Sequence, residues 1–443
     1  MAAVALESLR YKQATLYSND GKKKVDISNS IVSFQYFEDF MSPCINAVLK
    51  ITNTTGLYNN LPIRCGEKIE LEIVGLHQTL SFTGDKAWYV CAVNNLTQNE
   101  RTENFDLVLV MKDMLSNETT RVQKKYDNKV TIDQHITKIL TDVLGVSKKR
   151  LSIIERTANP YGFYGNLKKP YYICTWLGPK AIPLTEGAGG TSGKGKDGKA
   201  KGTSGFLFYE TYDGYNFRSI ENLVNGNNKE MKTDEGKSKA IQTFSYTGVI
   251  EGDNNSLNVN KITFHYMARN NDLFASLRMG KYANRTYFFD PYYQDLDVFN
   301  YSLKEEIKSL NTLSKRKDLL VPDFFLNTPS RIMSRTSDRG MFSDTLTETS
   351  GRDNADMAKS ISRYNLLFSQ TLNINIPLNL SLRVGETVKI ILPKANNNTQ
   401  ENVPIDDEMS GLYVISALRH SCVPKENQTA LNLIRDSYGL YKS

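Results

Sequence analysis

The feature that most constrains this chain is a segment that occurs twice, once toward each end. Residues 61–73 read LPIRCGEKIELEI, and residues 380–392 read LSLRVGETVKIIL. After the shared Gly-Glu, apolar residues recur at every second position in both copies, which is the pattern of a strand with one buried face. We therefore predict that one small antiparallel β-barrel is used twice. The residues that recur in register are Leu61 and Leu380, Arg64 and Arg383, Gly66 and Gly385, and Glu67 and Glu386.

The repeat leads to predictions about its turn and its downstream neighbours. Glycine takes positive φ without steric cost, so the Gly-Glu before each strand is expected to form a tight turn with its glutamate in water. Downstream, residues 89–93, YVCAV, resemble residues 413–417, YVISA. Matching places are therefore expected for Tyr89 and Tyr413, and also for Arg64 and Arg383.

Length and composition favour several β-rich domains. The 443 residues are enough for roughly three or four domains of ~100–150 residues. The chain has 24 Tyr, 19 Phe and many Asn residues suited to turns, so more strand than helix is expected. The predicted fold class is mainly β with minor α, comprising two similar antiparallel β-barrels, a middle α+β domain and an inserted domain.

Changes of pattern along the chain set the expected domain boundaries. Thr131 and Gln134 form a capping-box pattern ahead of an apolar stripe, which predicts a helix. The aromatic segment 163–176 predicts strand, and Asp213-Gly214 is typical of a hairpin turn. The expected domains are a first barrel at 1–115, a middle domain at 116–238 with a Gly/Lys-rich loop at 185–205, a second barrel formed by 239–268 and 353–443, and an inserted interaction domain at 269–352.

The Gly/Lys-rich loop contains a spacing that suggests a nucleotide site. Gly190 to Lys196 fits G-x-x-x-x-G-K, but Asp197 follows where a magnesium-binding Ser or Thr is needed. No apolar strand precedes the loop, and a helix cannot begin among so many glycines. A linker or a partner-contacting loop is predicted instead.

Residues that carry catalysis or bind metals are few and scattered. The five cysteines stand singly, which indicates neither a zinc site nor a disulfide framework, and they are expected to be buried thiols. The four histidines form no HExxH or two-histidine spacing. Acidic pairs such as Glu38/Asp39 and Asp295/Asp297 could act in glycoside hydrolysis or bind calcium, but solvated turns are the favoured interpretation. No catalytic residue, metal ligand or cofactor is predicted, and the chain is not expected to be an enzyme.

Net charge and hydropathy do not identify the binding partners of this chain. The net charge of +7 permits a polyanionic neighbour without requiring one, and the lysine clusters are more typical of solvated turns. The apolar run in MAAVALESLRYK is too short for a signal peptide core, and no later segment approaches a membrane span. Assembly in a cytoplasm is therefore expected.

Three further segments, together with the repeat, carry a resemblance to a known family. They are residues 37–51, FEDFMSPCINAVLKI, residues 206–223, FLFYETYDGYNFRSIENL, and residues 411–422, GLYVISALRHSC. In this order the chain resembles, over nearly its whole length, the baseplate hub proteins of T-even-like contractile-tailed bacteriophages. The hub region of type VI secretion spike proteins is related to them. The chain departs from the family pattern at Pro377-Leu378-Asn379, where a Pro-Gly turn is expected, and in its added Gly/Lys-rich loop.

The resemblance implies a structural protein of the virion tail baseplate, assembled in the cytoplasm of a bacterial host. It implies a homotrimer whose two barrels per subunit form a pseudo-sixfold ring. That ring would join the sixfold tail tube, or its initiator proteins, to a threefold cell-puncturing spike. The tape measure protein would meet the lumen, and double-stranded DNA would pass through it without sequence-specific binding.

Two points about function stay open at this stage. Because no repetitive β-helix sequence follows the second copy, the spike is expected to be a separate polypeptide. The alternative is a carbohydrate-binding or cell-wall-degrading tail or surface protein, supported by β content, aromatic residues and scattered acids.

Overall fold

The structure is a computed structural model, and strands dominate it. It describes residues 9–75, 78–184, 204–225, 238–246, 260–291, 294–308, 310–314, 321–336, 350–394, 405–423 and 427–439. The predicted mainly β fold with minor helix is confirmed. The predicted Gly/Lys-rich loop lies outside the described residues except for its last two positions, 204 and 205.

The first module consists of strands that alternate buried and less buried positions. In its last strand, Phe105, Leu107 and Leu109 are buried, because a period of two places them on the same face of the sheet. Its elements are β1 (Arg10–Tyr17), β2 (Lys24–Asp26), β3 (Ile31–Asp39), β4 (Asn46–Asn53), α1 (Leu57–Asn60), β5 (Lys68–Val74), β6 (Thr79–Phe82), β7 (Trp88–Gln98), β8 (Glu103–Met111) and α2 (Lys112–Thr119).

The middle region mixes short strands with helices. Pro170 starts a helix, so the prediction of strand for 163–176 is wrong there, because proline has the φ that a first helical turn needs. The helix predicted after Thr131 forms, although the Thr131 side chain makes no capping hydrogen bond. The hairpin predicted at Asp213-Gly214 is confirmed. The elements are β9 (Lys125–Tyr126), α3 (Ile132–Lys138), β10 (Leu151–Ile154), β11 (Phe163–Tyr164), α4 (Pro170–Leu177), β12 (Phe206–Thr211), β13 (Gly214–Ser219) and α5 (Ile220–Val224).

The second half contains an inserted unit between strands of the second module. Its first strands are β14 (Gln242–Ser245) and β15 (Phe264–Asn270). The inserted elements are α6 (Leu273–Arg278), β16 (Ala283–Asp290), β17 (Asp295–Ser302), α7 (Leu303–Glu306), α8 (Asp323–Asn327) and β18 (Arg331–Thr336). The module then continues with α9 (Ser350–Leu367), β19 (Gln370–Pro377), β20 (Thr387–Ile391), β21 (Gly411–Cys422) and β22 (Gln428–Arg435).

Both modules belong to one 14-stranded sheet and share their strand order. The first runs β3-β4-β8-β7-β5-β1, and the second runs β15-β19-β22-β21-β20-β14. They differ at the last strand, because β1 is antiparallel to β5 whereas β14 is parallel to β20. A parallel pair needs a long connection between its strands, and the inserted unit lies within that connection here.

Three buried clusters form the core of the described chain. The first spans both modules and takes in Leu207 and Tyr209 from the hairpin of the middle region. The second lies within the middle region and also includes Cys44. The third joins the inserted unit to Leu366 of α9. Among the described helices, none combines the length and apolarity that crossing a membrane requires.

Candidate assembly interface

The repeated segment forms the same turn in both modules. The Gly66 amide donates to the Val90 carbonyl at 2.7 Å, and the Gly385 amide donates to the Ile415 carbonyl at 2.8 Å. The two glycine φ angles are +98° and +83°, which side chains rarely permit. The two copies therefore begin their strands from equivalent backbone positions.

Strand pairing fixes how the copies correspond further along the chain. The residue after the shared Gly-Glu lies opposite Tyr89 in the first copy and opposite Val414 in the second. Tyr89 therefore corresponds to Val414, and Trp88 corresponds to Tyr413. The predicted match of Tyr89 with Tyr413 is wrong by one residue. A slip of one residue exchanges the faces of a strand, and Trp88 and Tyr413 are the fully buried pair.

The glutamates of the repeat are buried, which contradicts the expectation that they stay in water. Glu67 accepts hydrogen bonds from the Arg64 amide at 2.7 Å and from Asn19 Nδ2 at 3.0 Å. Glu386 pairs with Lys239, which opposes the rise in the pKa of Glu386 that burial causes. These donors hold the Oε1 atom of each carboxylate, so the glutamates fold back against the turns. The buried members of the repeat include Leu61, Leu380, Glu67 and Glu386.

The arginines of the two copies differ in their surroundings. Arg64 is exposed, whereas Arg383 is 1% exposed. The Arg383 guanidinium lies 4.7 Å from the centre of the Tyr212 ring, and its Nε lies 3.4 Å from Asp213 Oδ1. Tyr212 and Asp213 form the turn of the middle hairpin, which covers the second copy. The two arginines thus lie at corresponding backbone positions, while their side chains lie in different environments.

Glu38 joins three parts of the molecule. It lies on β3 of the first module and is 1% exposed. Its Oε2 accepts from the Val384 amide of the second repeat at 2.9 Å. Its Oε1 accepts from the Tyr212 amide of the middle hairpin at 2.8 Å and from the Tyr36 hydroxyl at 2.6 Å. Burial raises the pKa of Glu38, and Arg383 opposes that shift.

The acidic pairs weighed in the sequence lie in different environments. The interpretation as a solvated turn is right for Asp39, which is exposed, and wrong for Glu38. Alternation along β3 was the available signal, because it places Glu38 on the same buried face as Phe34 and Tyr36. Asp295 and Asp297 are both exposed on β17.

A second buried ionic cluster connects the first module to the middle region. Arg150 pairs with Asp113 of α2 and with Glu210 of β12. Glu210 also accepts from the Ile45 amide at 3.2 Å, and the Tyr215 hydroxyl donates to Asp113 at 3.0 Å. Burial raises the pKa of Glu210 to about 7 against the opposing charge of Arg150. Since removing one partner of a buried ion pair is strongly destabilising, these charges hold the parts in a defined arrangement.

Strand β21 joins the two modules into one sheet. Its first half pairs with β20 of its own module. Its second half pairs with β3 of the other module, from Ala417 opposite Asp39 to Cys422 opposite Phe34. In the shared strand order, β7 takes the place of β21 and β15 takes the place of β3.

The corresponding pair between β7 and β15 is not made within this chain. Residues 92–98 of β7 pair with β8 on one side, and residues 264–270 of β15 pair with β19 on one side. Along the other side of each, no described strand is paired. Leu96, Phe264 and Tyr266 are 41%, 53% and 52% exposed there. We call these two stretches the open edges, and because unpaired edges readily pair with another chain, they form the candidate assembly interface.

The side of the sheet that faces away from the core is polar and balanced in charge. Asn373 lies opposite Asn432 across β19 and β22, and Asn375 is two residues along the same face. Lys50 lies opposite Asp106 across β4 and β8. A groove of about 510 Å³ runs over this face where the two modules meet. Amide side chains thus dominate the free face at the junction.

The inserted unit presents an apolar sheet face. Its three strands are ordered β17-β16-β18, and Phe289 lies opposite Leu296. On this face Phe289, Leu296, Val298 and Ile332 are 42%, 52%, 50% and 66% exposed. On the opposite face Phe288 is buried, whereas Asp297, its cross-strand neighbour, is exposed. We call the exposed set Phe289, Leu296, Val298 and Ile332 the insertion face.

Cysteine and metal chemistry add little to this picture. Within the described ranges, no group of three His, Cys, Asp or Glu side chains could hold a metal ion. The expectation of buried thiols is wrong for Cys65, which is exposed because it lies in the repeat turn with a φ of +77°. Cys44, Cys174 and Cys422 are buried.

Comparison with known proteins places the fold. No protein-family model and no curated protein matches the sequence. Among solved structures, the chain is similar to a tail protein from Neisseria meningitidis, with a TM-score of 0.53 and 11% identity over 97% of this chain and 98% of that chain. It is similar to the 43 kDa tail protein of prophage MuSo2 from Shewanella oneidensis, with a TM-score of 0.52 and 10% identity over 96% of this chain and 99% of that chain.

A third match is a component of the type VI secretion system of E. coli, with a TM-score of 0.45 and 9% identity over 98% of this chain and 79% of that chain. The two tail proteins show that this chain shares their fold over almost its full described length. The resemblance to tail proteins is thereby confirmed at the level of the fold.

Proposed function

We propose that this chain, which has the fold of tail proteins, is a structural baseplate hub of a contractile phage tail. Three copies form a ring that joins the sixfold tail tube to a threefold spike. The observation that carries the proposal is the pair of open edges on β7 and β15. They are the counterparts of the two strands that already pair inside the chain.

The internal junction supplies the template for the contact between copies. Where β21 meets β3, Arg419 lies opposite Phe37. Through the shared ladders, Asn94 of β7 corresponds to Arg419, and Arg269 of β15 corresponds to Phe37. Asn94 is therefore expected to lie opposite the partner's Arg269. An interface of this head-to-tail kind gives a closed ring when its rotation closes, and three chains of two modules give six modules.

The free polar face of the sheet suits the wall of a channel. Its core side is covered by the middle hairpin and α9, so the amide-rich side is the one left to face a lumen. Binding of DNA without sequence preference depends on cationic contacts with phosphates. On this face Lys50 is offset by the neighbouring Asp106. Such a wall favours passage of the tape measure protein and of double-stranded DNA without strong adhesion.

The insertion face is the proposed contact for the spike. It is present once in each chain, so a ring of three chains presents it with threefold symmetry. Exposed apolar patches on soluble proteins commonly mark protein contacts. The spike binds at this face, while tube or tube-initiator proteins meet the six-module side. The virion tail baseplate is the proposed location, reached after assembly in the bacterial cytoplasm.

The test measures the oligomeric mass of purified variants. Each variant carries one new lysine, either on an open edge or on the insertion face. Leu96→Lys and Tyr266→Lys put lysines on the open edges, where charge opposes strand pairing, and each should convert trimers to monomers. Phe289→Lys on the insertion face is the matched control and should leave trimers intact while reducing capture of the spike. Trimers that persist in both edge variants would overturn the ring. A monomeric parent protein that binds glycans would favour the carbohydrate-binding alternative.

A further inference from the structure

A cavity of about 300 Å³ lies where the inserted unit meets the second module. The end of β15, helix α6 and the junction between α9 and β19 surround it. Its charged and polar lining consists of Arg269, Asp272, Ser276, Lys281, Asn365 and Ser369. The proposed ring uses one residue of this lining, Arg269, which borders the cavity at the open edge of β15, and leaves the rest of the cavity unassigned.

Lys281 is the unusual member of the lining. It is 3% exposed, and its ammonium donates to Ser369 Oγ at 2.7 Å and lies 5.3 Å from the centre of the Tyr282 ring. No carboxylate of the described chain lies within ion-pair distance of it. Burial lowers the pKa of Lys281 to about 8, with Asp436 opposing that shift and Arg269 adding to it.

Three other enclosed cations among the described residues are paired directly with carboxylates. Lys239 pairs with Glu386, Arg150 pairs with Asp113 and Glu210, and Arg363 lies 3.4 Å from both Glu221 and Asp436. A buried charge without a counter-ion is costly, so an enclosed cation that opens on a cavity favours an anionic ligand. Lys281 meets that description.

The charges around the cavity define the class of anion. Lys281 and Arg269 contribute two positive charges and Asp272 one negative charge, which leaves one positive charge to be balanced. The Asp272 carboxylate is engaged at 2.9 Å with the Ala275 amide, where it caps α6. A monoanion therefore balances the remaining positive charge. A phosphate dianion would leave the cavity with a net negative charge and would be repelled by the Asp272 carboxylate. Met279 and Phe368 line the same cavity and supply apolar contact beside the charge.

We propose that this cavity binds a single peptide carboxylate, held between Lys281 and Arg269, with a neighbouring apolar side chain against Phe368. The carboxylate is either the end of a chain or the side chain of an Asp or Glu residue.

The test uses probes that differ only in the carboxylate. N-acetyl-leucine carries one at its chain end, N-acetyl-leucinamide has none, and N-acetyl-glutamyl-leucinamide carries one on a side chain. Trinitrobenzenesulfonate modifies neutral amines, so its rate at Lys281 at pH 8, read by peptide mass mapping of the intact protein, reports binding. We expect at least one carboxylate probe to slow modification of Lys281 by roughly fivefold or more, because a bound carboxylate favours the charged amine by about one pKa unit.

Matched variants complete the experiment. In Lys281→Met the thermal shift produced by the effective probe should disappear, while in Lys304→Met, an exposed lysine, it should remain. Arg269→Gln changes an exposed residue and should weaken the protection severalfold without loss of folding. The two carboxylate probes identify which source of carboxylate is bound. Failure of both to protect, protection by N-acetyl-leucinamide, or an unchanged effect in Arg269→Gln would overturn the proposal.

Discussion

The two copies of the repeat share a backbone and differ in what covers them. Gly66 and Gly385 make equivalent turn hydrogen bonds, yet Arg64 is exposed and Arg383 is enclosed by the middle hairpin. The duplicated segment thus preserves its strand pairing while its outer surface depends on regions that occur once in the chain. The comparison teaches that the repeat turn of the first copy stays exposed, whereas the middle hairpin covers the turn of the second copy.

The largest loss of stability is expected from removing the Glu38 carboxylate, which binds the Val384 amide of the second copy. Glu38→Ala removes the acceptor for three donors and leaves Arg383 buried with less compensating charge. We expect a loss of about 3–5 kcal/mol in the free energy of unfolding, measured with urea. Asp39→Ala is the adjacent exposed control and should cost no more than about 1 kcal/mol. Similar losses in both variants would contradict the role given to Glu38.

A direct comparison of the repeat arginines sharpens the same point. Arg383→Met should lower the free energy of unfolding by about 3 kcal/mol, because it leaves the buried Glu38 without its neighbouring cation. Arg64→Met, at the corresponding exposed position, should stay within about 0.5 kcal/mol. The measurement is urea unfolding of both variants under identical conditions. An equal cost at the two positions would show that the copies are covered alike.

The repeat glycines allow a smaller and finer test. Alanine at either position is strained by the positive φ, at a cost of about 1–2 kcal/mol. At Gly385 an added Cβ would also lie 2.2 Å from the Tyr209 hydroxyl, whereas at Gly66 it would lie 3.0 Å from Asn19 Oδ1. Gly385→Ala should therefore lower the melting temperature more than Gly66→Ala. The reverse order would contradict the close packing of the second copy against the hairpin.

His420, at the junction of the modules, makes the free energy of unfolding depend on pH. His420 is fully buried, stacks on Tyr36 and has a pKa lowered to about 3 by burial and by Arg383. An unfolded histidine titrates near 6.5, so its stabilising contribution is complete above about pH 6.5 and is lost as pH falls toward 3. The slope from this residue is at most about 1.4 kcal/mol per pH unit.

The variant His420→Gln should flatten the pH dependence of unfolding between pH 6 and 4 relative to the parent protein. The difference between the two curves isolates His420 from other titrating groups. His265→Gln, which changes a less buried ring, is the control and should alter the slope less. Parallel curves for the parent and His420→Gln would contradict the shift.

The sequence predicted the elements whose patterns are local. Alternation revealed the strands after Glu67 and Glu386, and Asp213-Gly214 revealed the hairpin, because period and turn chemistry depend on neighbouring residues. The burial of Glu38 depends on donors from two distant segments. Position on a strand face hinted at it, but those partners are visible only in the folded chain.

The sequence alone aligned only part of the two copies. Identical residues aligned Gly66 with Gly385, whereas the apolar runs from Tyr89 and from Tyr413 align equally well after a slip of one residue. Strand pairing resolved the slip. The open edges were beyond prediction from the sequence because an unpaired edge is a property of the whole sheet.

The most direct test of the central claim is an electron cryomicroscopy reconstruction of the purified oligomer. The proposed function predicts a threefold ring in which β7 of one copy pairs with β15 of the next, with Asn94 near the partner's Arg269 and the two modules at similar radii. A ring that leaves both edges unpaired, modules at clearly different radii, or a particle without threefold symmetry would contradict it.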